Sequence, residues 1–304
     1  MGRGSYTASD WASLRASRNL AQTETVTRIF SRREPEPTST APRIMFRESR
    51  DSSEHARSTP IIIGFDVTAS MGYLAKELAT NSLNNTIMNL LRGERVSDPQ
   101  ILCAAIGDCK SDRYPLQVTQ FESDIRMVRQ LLELHLEGGG GGNDGESYNL
   151  LWYFAARHTH HDHFEKRGGK GYLFTVGDDC CHGSLSTTEI RKNFTSRSQY
   201  DLSNQEILRE AEAKYHVFHV HLDRGTAADR EIFQTWALLL PGRCVRMDAR
   251  NIDCLSELIA AIISLTEGSS LGSALKGLDE ARCEKLLPAL ATLETRKKKT
   301  VISF

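Results

Sequence analysis

The run from Pro60 to Gly72, PIIIGFDVTASMG, constrains this chain more than any other stretch. Ile61 to Phe65 show no polar alternation, which fits a strand covered on both faces, as in a parallel sheet between layers of helices. The run ends on Asp66, and Thr68 and Ser70 follow at a spacing of two. A turn there, leading into a helix from near Met71, gathers a carboxylate and two hydroxyl oxygens about one centre. That donor set suits a hard divalent cation. Ligands of open α/β sheets sit outside the carboxyl ends of the strands, where this carboxylate falls. Ser and Thr also cap helices in ordinary strand-to-helix turns, so these residues alone leave both readings open.

The rest of the chain supplies the context. Leu74, Leu78, Leu83, Ile87, Leu90 and Leu91 recur on a helical period between Tyr73 and Leu91. Ile101 to Ile106 predicts a second strand, ending at Gly107-Asp108. Leu116 to Phe121 predicts a third, with Ser123 or Asp124 capping a helix to about Leu136. The glycines Gly138 to Gly142 lead through Asn143, Asp144, Gly145, Glu146 and Ser147 into a helix to about His158. Lys170 to Val176 predicts a fourth strand, ending at Gly177-Asp178-Asp179. Then come a strand from Tyr215 to Leu222, a helix from Ala227 to Leu239, a short strand from Arg243 to Met247 and a helix from Asp253 to Thr266. Strands alternating with helices imply an α/β fold with a doubly wound, mainly parallel sheet. The α/β domain is expected over residues 60–268. Before it, residues 1–59 read as an extended arm draped on the body through Trp11, Leu14, Leu20, Ile29, Ile44 and Phe46, with a short helix from Ser9 to Arg18 capped by Ser9 or Asp10. Residues 269–304 read as a C-terminal helical extension near Cys283 to Leu293 and a solvated basic tail, Arg296 to Lys299.

In a sheet of this order the first and fourth strands are neighbours, so Asp178 should face Asp66. Two carboxylates so placed raise one another's pKa unless a cation lies between them. The pattern Asp66-x-Thr68-x-Ser70 after a hydrophobic strand resembles the first motif of the von Willebrand factor A (vWA) family, whose metal-ion-dependent adhesion site begins Asp-x-Ser-x-Ser. TVGDD resembles that family's third motif, with Asp178 or Asp179 as ligand, although the usual Asp-Gly order is not kept. The middle motif is normally a Thr in a Gly-rich loop, and no Thr is present here. GGGGGNDGES is more similar to the acidic variants of integrin β type, which implies Glu146 as the metal contact, with Ser147, Asp144 and Asn143 behind it. The resemblance thus implies Mg²⁺, or Mn²⁺ or Ca²⁺, held by Asp66, Thr68, Ser70, Glu146, Ser147 and Asp178, with an open position for an Asp or Glu of a protein partner. It also implies a non-enzymatic scaffold or adaptor in an intracellular assembly, of the kind that includes AAA+ ATPases.

A formal net charge of -1 gives no global field for nucleic acid or a membrane surface. No apolar run approaches the roughly 20 residues that span a bilayer. The opening MGRGSYTASDW is unlike a signal peptide, and Tyr6 breaks the myristoylation pattern. Seven cysteines without regular spacing fit free thiols in a reducing compartment, and the expected location is cytoplasmic. His158, His160, His161, Asp162 and His163 are expected in a solvated connector and not as a zinc site, since no Cys pair at finger spacing accompanies them. Cys180-Cys181-His182 could serve a Cys-His hydrolase only with an identified base and an electropositive setting. The glycine run also reads as a plain flexible connector, and it makes a poor P-loop because no Lys-Ser or Lys-Thr follows the glycines. The competing enzymatic reading is a haloacid-dehalogenase-like phosphohydrolase with Asp66 as nucleophile. It needs a second Asp two residues on, where Thr68 stands, and a hydroxyl of high pKa is a poor general acid.

Overall fold

The computed structural model describes residues 7–18, 25–30, 34, 44–67, 72–77, 96–136, 145–195 and 198–299, with backbone alone at 292 and 294–299. Thr68, Ser70, Asn143, Asp144, the glycines Gly138 to Gly142 and the part of the predicted helix beyond Glu77 lie outside the described residues.

Ten strands are described: β1 (Arg47–Ser49), β2 (Thr59–Asp66), β3 (Pro99–Ile106), β4 (Leu116–Val118), β5 (Thr159–His161), β6 (Gly171–Gly177), β7 (Ser184–Leu185), β8 (Leu202–Ser203), β9 (Tyr215–Asp223) and β10 (Cys244–Asp248). Six form the central sheet in the order β10-β9-β6-β2-β3-β4. All its pairings are parallel except β3 with the edge strand β4. From β2 the chain winds outward through β3 and β4, then returns to β6 on the other side and winds outward again. The crevice between β2 and β6 is therefore the switch point where such sheets place ligands. This is the doubly wound architecture that the vWA resemblance implies.

β2 shows why so apolar a segment is required. All eight of its residues are buried, and its side chains feed two separate cores in alternation. Ile61, Ile63 and Phe65 pack into one with Leu258, Ile259 and Ile262 of the helix Leu255–Thr266. Ile62 packs into the other with Leu151 and Trp152 of the helix Tyr148–Arg157 and Trp236 of the helix Ala227–Leu239. The first core also takes Trp11 and Leu14 from the helix Ala8–Ser17, and Leu286 and Leu290 from the helix Glu280–Lys299.

Three local expectations are corrected. The helix Ala8–Ser17 is capped by Thr7, in a capping box with Asp10, so neither Ser9 nor Asp10 is the cap residue. The helix after Ser123 is short, Arg126–Leu131, with Ile125 at its N-cap. The Ser123 hydroxyl instead meets His55 Nε2 at 3.0 Å. The histidine-rich segment is not a solvated connector: β5 pairs in parallel with β1, and His158 and His161 are buried. His161 Nδ1 accepts from the Phe164 amide, while Asp162 accepts from Arg50 at 2.8 Å. Its burial comes from a partner strand over a hundred residues away in sequence, which local polarity does not reveal.

Gly64 marks a close approach of helix to sheet. A Cβ there would lie 2.1 Å from Leu151 Cδ2 and 2.9 Å from Ile106 Cδ1. Gly64→Ala is expected to lower stability by roughly 1–3 kcal/mol through overpacking, read as a reduced urea midpoint at unchanged denaturant slope.

Candidate functional site

Four chain segments meet at the carboxyl ends of β2, β3 and β6. Asp66 is the last residue of β2 and is fully buried. Asp178 follows β6 directly and is also buried. Glu146 and Ser147 precede the helix Tyr148–Arg157 and are stitched to both neighbouring loops. The Glu146 amide donates to Cys180 O at 2.8 Å, and the His182 amide donates to Glu146 O at 3.1 Å. The Ser147 amide donates to Gly107 O, and its hydroxyl accepts from the Cys109 amide at 2.9 Å. Backbone pairing thus fixes Glu146 over the acidic strand ends. Ser147, expected as a ligand, has its hydroxyl turned to the loop after β3.

The parallel register explains why Tyr148 reaches the same place. Gly177 carries no Cβ where one would sit 1.9 Å from Tyr148 Oη and 3.1 Å from Asp66 Cβ. The phenol enters that gap and donates to Asp66 Oδ2 at 3.3 Å. Burial, with Asp66 next, pushes the Tyr148 hydroxyl well above its ordinary pKa, so it remains a donor.

Electrostatics set the site apart. Burial pushes Glu146 up to about 9, reinforced by the charges of Asp66, Asp108, Asp112 and Asp179. Its Oε2 is buried without a hydrogen-bond partner, a costly condition that native proteins rarely leave without a bound ion or water. Asp178 is also pushed up by burial, against the opposing pull of Arg224, whose Nη1 lies 2.9 Å from Asp178 Oδ2. Tyr73, at the start of the helix Gly72–Glu77, is raised to about 12 by burial and by Asp178.

Sequence reasoning missed Asp108, Arg224, Tyr148 and Tyr73. Asp108 had a visible signal, since Gly107-Asp108 ends β3 as Gly177-Asp178 ends β6. Buried Asp108 holds His182 Nε2 through Oδ1 at 2.8 Å, and His182 Nδ1 meets Lys110 Nζ at 3.0 Å. His182 therefore belongs to a carboxylate and not to a thiol. All seven cysteines are free. Burial pushes Cys109 up to about 12 and raises Cys181 well above its ordinary value, which disfavours a thiolate at both.

Asp66, Glu146 and Asp178 are buried oxygen donors at neighbouring strand and loop ends, and Glu146 Oε2 has no hydrogen-bond partner. Among the described residues no three or more His, Cys, Asp or Glu side chains are grouped so that they could hold a metal ion. The hydroxyls of Thr68 and Ser70 lie outside those residues.

No protein-family model matches the sequence, and no curated protein matches it. Among solved structures, the open conformation of the pilus adhesin SpaC from Lactobacillus rhamnosus GG is similar at 10% identity and a TM-score of 0.45, over 71% of this chain and 31% of that one. The vWF domain of the type V pili tip protein Mfa5 from Porphyromonas gingivalis is similar at 9% identity and a TM-score of 0.43, over 75% of this chain and 98% of that one. Proximal thread matrix protein 1 from the mussel byssus, with a zinc-occupied MIDAS motif, is similar at 11% identity and a TM-score of 0.39, over 73% and 49%. This chain spans about a third of the length of SpaC. At these scores no ligand, partner or residue role of those proteins is carried to this chain. The protein is a doubly wound α/β domain with an acidic crevice at its switch point.

Glu146 makes the site pH-sensitive. Its folded pKa lies above its ordinary value of 4.5, so the folded state holds a proton that the unfolded chain releases. Stability is then fully present below about 4.5 and falls as pH rises toward about 9, by at most about 1.4 kcal/mol per pH unit. Glu146→Gln mimics the protonated acid and is expected to flatten that slope above about pH 8, where the histidines are deprotonated in folded and unfolded chains alike. Chemical denaturation of both proteins in chelator across this range checks it.

Proposed function

We propose that this protein is a divalent-cation-dependent protein-binding module. The observation that carries the reading is the buried, unpartnered Oε2 of Glu146, set among carboxylates at the switch point. Asp66, Glu146 and Asp178 would hold the ion, with Thr68 and Ser70 completing an oxygen donor set and Ser147 bracing the loop. Bound there, Mg²⁺, Mn²⁺ or Ca²⁺ would supply positive charge and a coordination position open to a partner's Asp or Glu. The chain's own groups fix the rest. Tyr148 orients Asp66, Arg224 steadies Asp178, and the Glu146 backbone is pinned to the loop after β6.

The role that fits is a scaffold or adaptor in a cytoplasmic multiprotein assembly, an AAA+ ATPase system being one such setting. No described helix is long and apolar enough to cross a membrane. The nonenzymatic reading rests on the site: Asp66 is fully buried and engaged by Tyr148, a poor disposition for a phosphoryl-accepting nucleophile.

Thermal unfolding with and without each ion tests the proposal. An ion binding only the folded state at about 100 times its dissociation constant should add roughly 2.7 kcal/mol. Asp66→Asn should abolish that response while leaving the chelated protein about as stable as its parent. Equal stabilisation of Asp66→Asn and parent would sink the assignment of Asp66, and hydrolysis of an aryl phosphate that Asp66→Asn abolishes would replace the module by an enzyme.

A further inference from the structure

At the opposite, amino-terminal end of β2 and β3, three side chains from separate segments form a hydroxyl–imidazole–carboxylate chain. Ser123 Oγ lies 3.0 Å from His55 Nε2. On the far side of the ring, His55 Nδ1 lies 3.5 Å from Asp98 Oδ1. The nitrogens are used in the order a serine nucleophile needs, one toward the hydroxyl and the other toward the acid.

Each member is held in place from its own backbone. Glu122, the residue before Ser123, exchanges two backbone hydrogen bonds with Ile101, at 2.8 and 3.1 Å. His55 sits in a turn closed by Ser52, whose amide donates to His55 O at 2.8 Å and whose hydroxyl accepts from the His55 amide at 3.0 Å. Asp98 has a φ of 41°, a conformation that non-glycine residues seldom adopt and that collects at functional sites. Its Oδ2 is fixed by the Arg57 amide at 2.9 Å, and its carbonyl accepts from the Thr59 amide at 3.1 Å. Oδ1 is thereby left toward His55. The His55 and Asp98 side chains keep 13% and 33% of their exposure, while Ser123 keeps 8%, so the group reaches solvent from the acid side.

We propose that Ser123, His55 and Asp98 form a second, esterase-type site that acts on small activated carboxylic esters. Ser123 Oγ attacks the ester carbonyl carbon as His55 Nε2 takes its proton. Protonation converts the 3.5 Å contact with Asp98 into a full ion pair that stabilises the imidazolium. The carbon–oxygen bond to the leaving group then breaks, the departing alkoxide or phenoxide receives the proton from Nε2, and the acyl group remains on Ser123. A water molecule, deprotonated by the same nitrogen, cleaves the acyl-serine and restores the hydroxyl. No oxidant, metal or cofactor enters the balance.

A merely structural clasp between residues 52–58 and the β3 edge would keep the same contacts but show no reactivity. The test is run on the full chain in chelator, which keeps it independent of the metal reading. The protein is treated with a fluorophosphonate probe, the adduct is located by peptide mapping, and p-nitrophenyl acetate hydrolysis is followed for the parent, Ser123→Ala and His55→Gln. The expected result is an adduct on Ser123, turnover reduced to the buffer rate in Ser123→Ala, and a loss of about a hundredfold or more in His55→Gln. Absence of an adduct on Ser123, or parental turnover in Ser123→Ala, overturns the proposal. Should Ser123→Ala fail to fold, mapping of the unsubstituted protein decides it alone.

Discussion

The pairing of β2 with β6 at the centre of the sheet is the constraint on which the rest of the site depends. It places Asp66 and Asp178 at adjacent strand ends inside a low-dielectric crevice, where charged carboxylates lose hydration and repel one another. Each further feature there bears on that cost. Gly177 withholds a Cβ so that the Tyr148 hydroxyl can reach Asp66. Arg224 approaches Asp178 from the solvent side. Glu146 lies under the same potential with an unpartnered oxygen, and its acid form is favoured.

Much of this was legible because the strands of a doubly wound sheet are apolar throughout while their ends are polar. Ile61 to Phe65 and Lys170 to Val176 could be read as strands, and their neighbouring positions followed from the winding rule. The placement of Asp66 and Asp178 at neighbouring strand ends was therefore legible in the sequence. The loop at Glu146 was placed by resemblance to a motif, and its backbone attachment to Cys180 and His182 could not have been. That attachment joins residues far apart in sequence and involves no side-chain type a pattern could mark.

Failures elsewhere have the same origin. β5 reads as Thr-His-His, polar by composition, and is buried only because β1 arrives beside it. No element was read between Gly183 and Lys214, where the β7–β8 pair and the helix Asn204–Lys214 cover the second core. Ser123 looked like a helix cap because serine before an apolar run usually is one. Its hydroxyl serves His55 instead, from a turn nearly seventy residues earlier. Local periodicity carries the elements, whereas polar side chains are assigned by long-range neighbours.

Arg224 shows how weakly an exposed side chain offsets a buried carboxylate. Its side chain retains 49% of its exposure, against 4% for Asp178. A half-solvated guanidinium is screened by water and gives up rotamer freedom to hold one geometry, so its pairing is worth on the order of 1 kcal/mol or less. It also addresses Asp178 and, more distantly, Asp229 at 4.0 Å. Asp66 and Glu146 lie on the other flank of the crevice, where Lys110 is taken up by His182 and His182 by Asp108. Among the described residues, the basic groups Arg224 and Lys110 are thus engaged by Asp178 and by His182. In the proposed reading, a small, highly charged ion would relieve carboxylate repulsion there without the volume of a side chain.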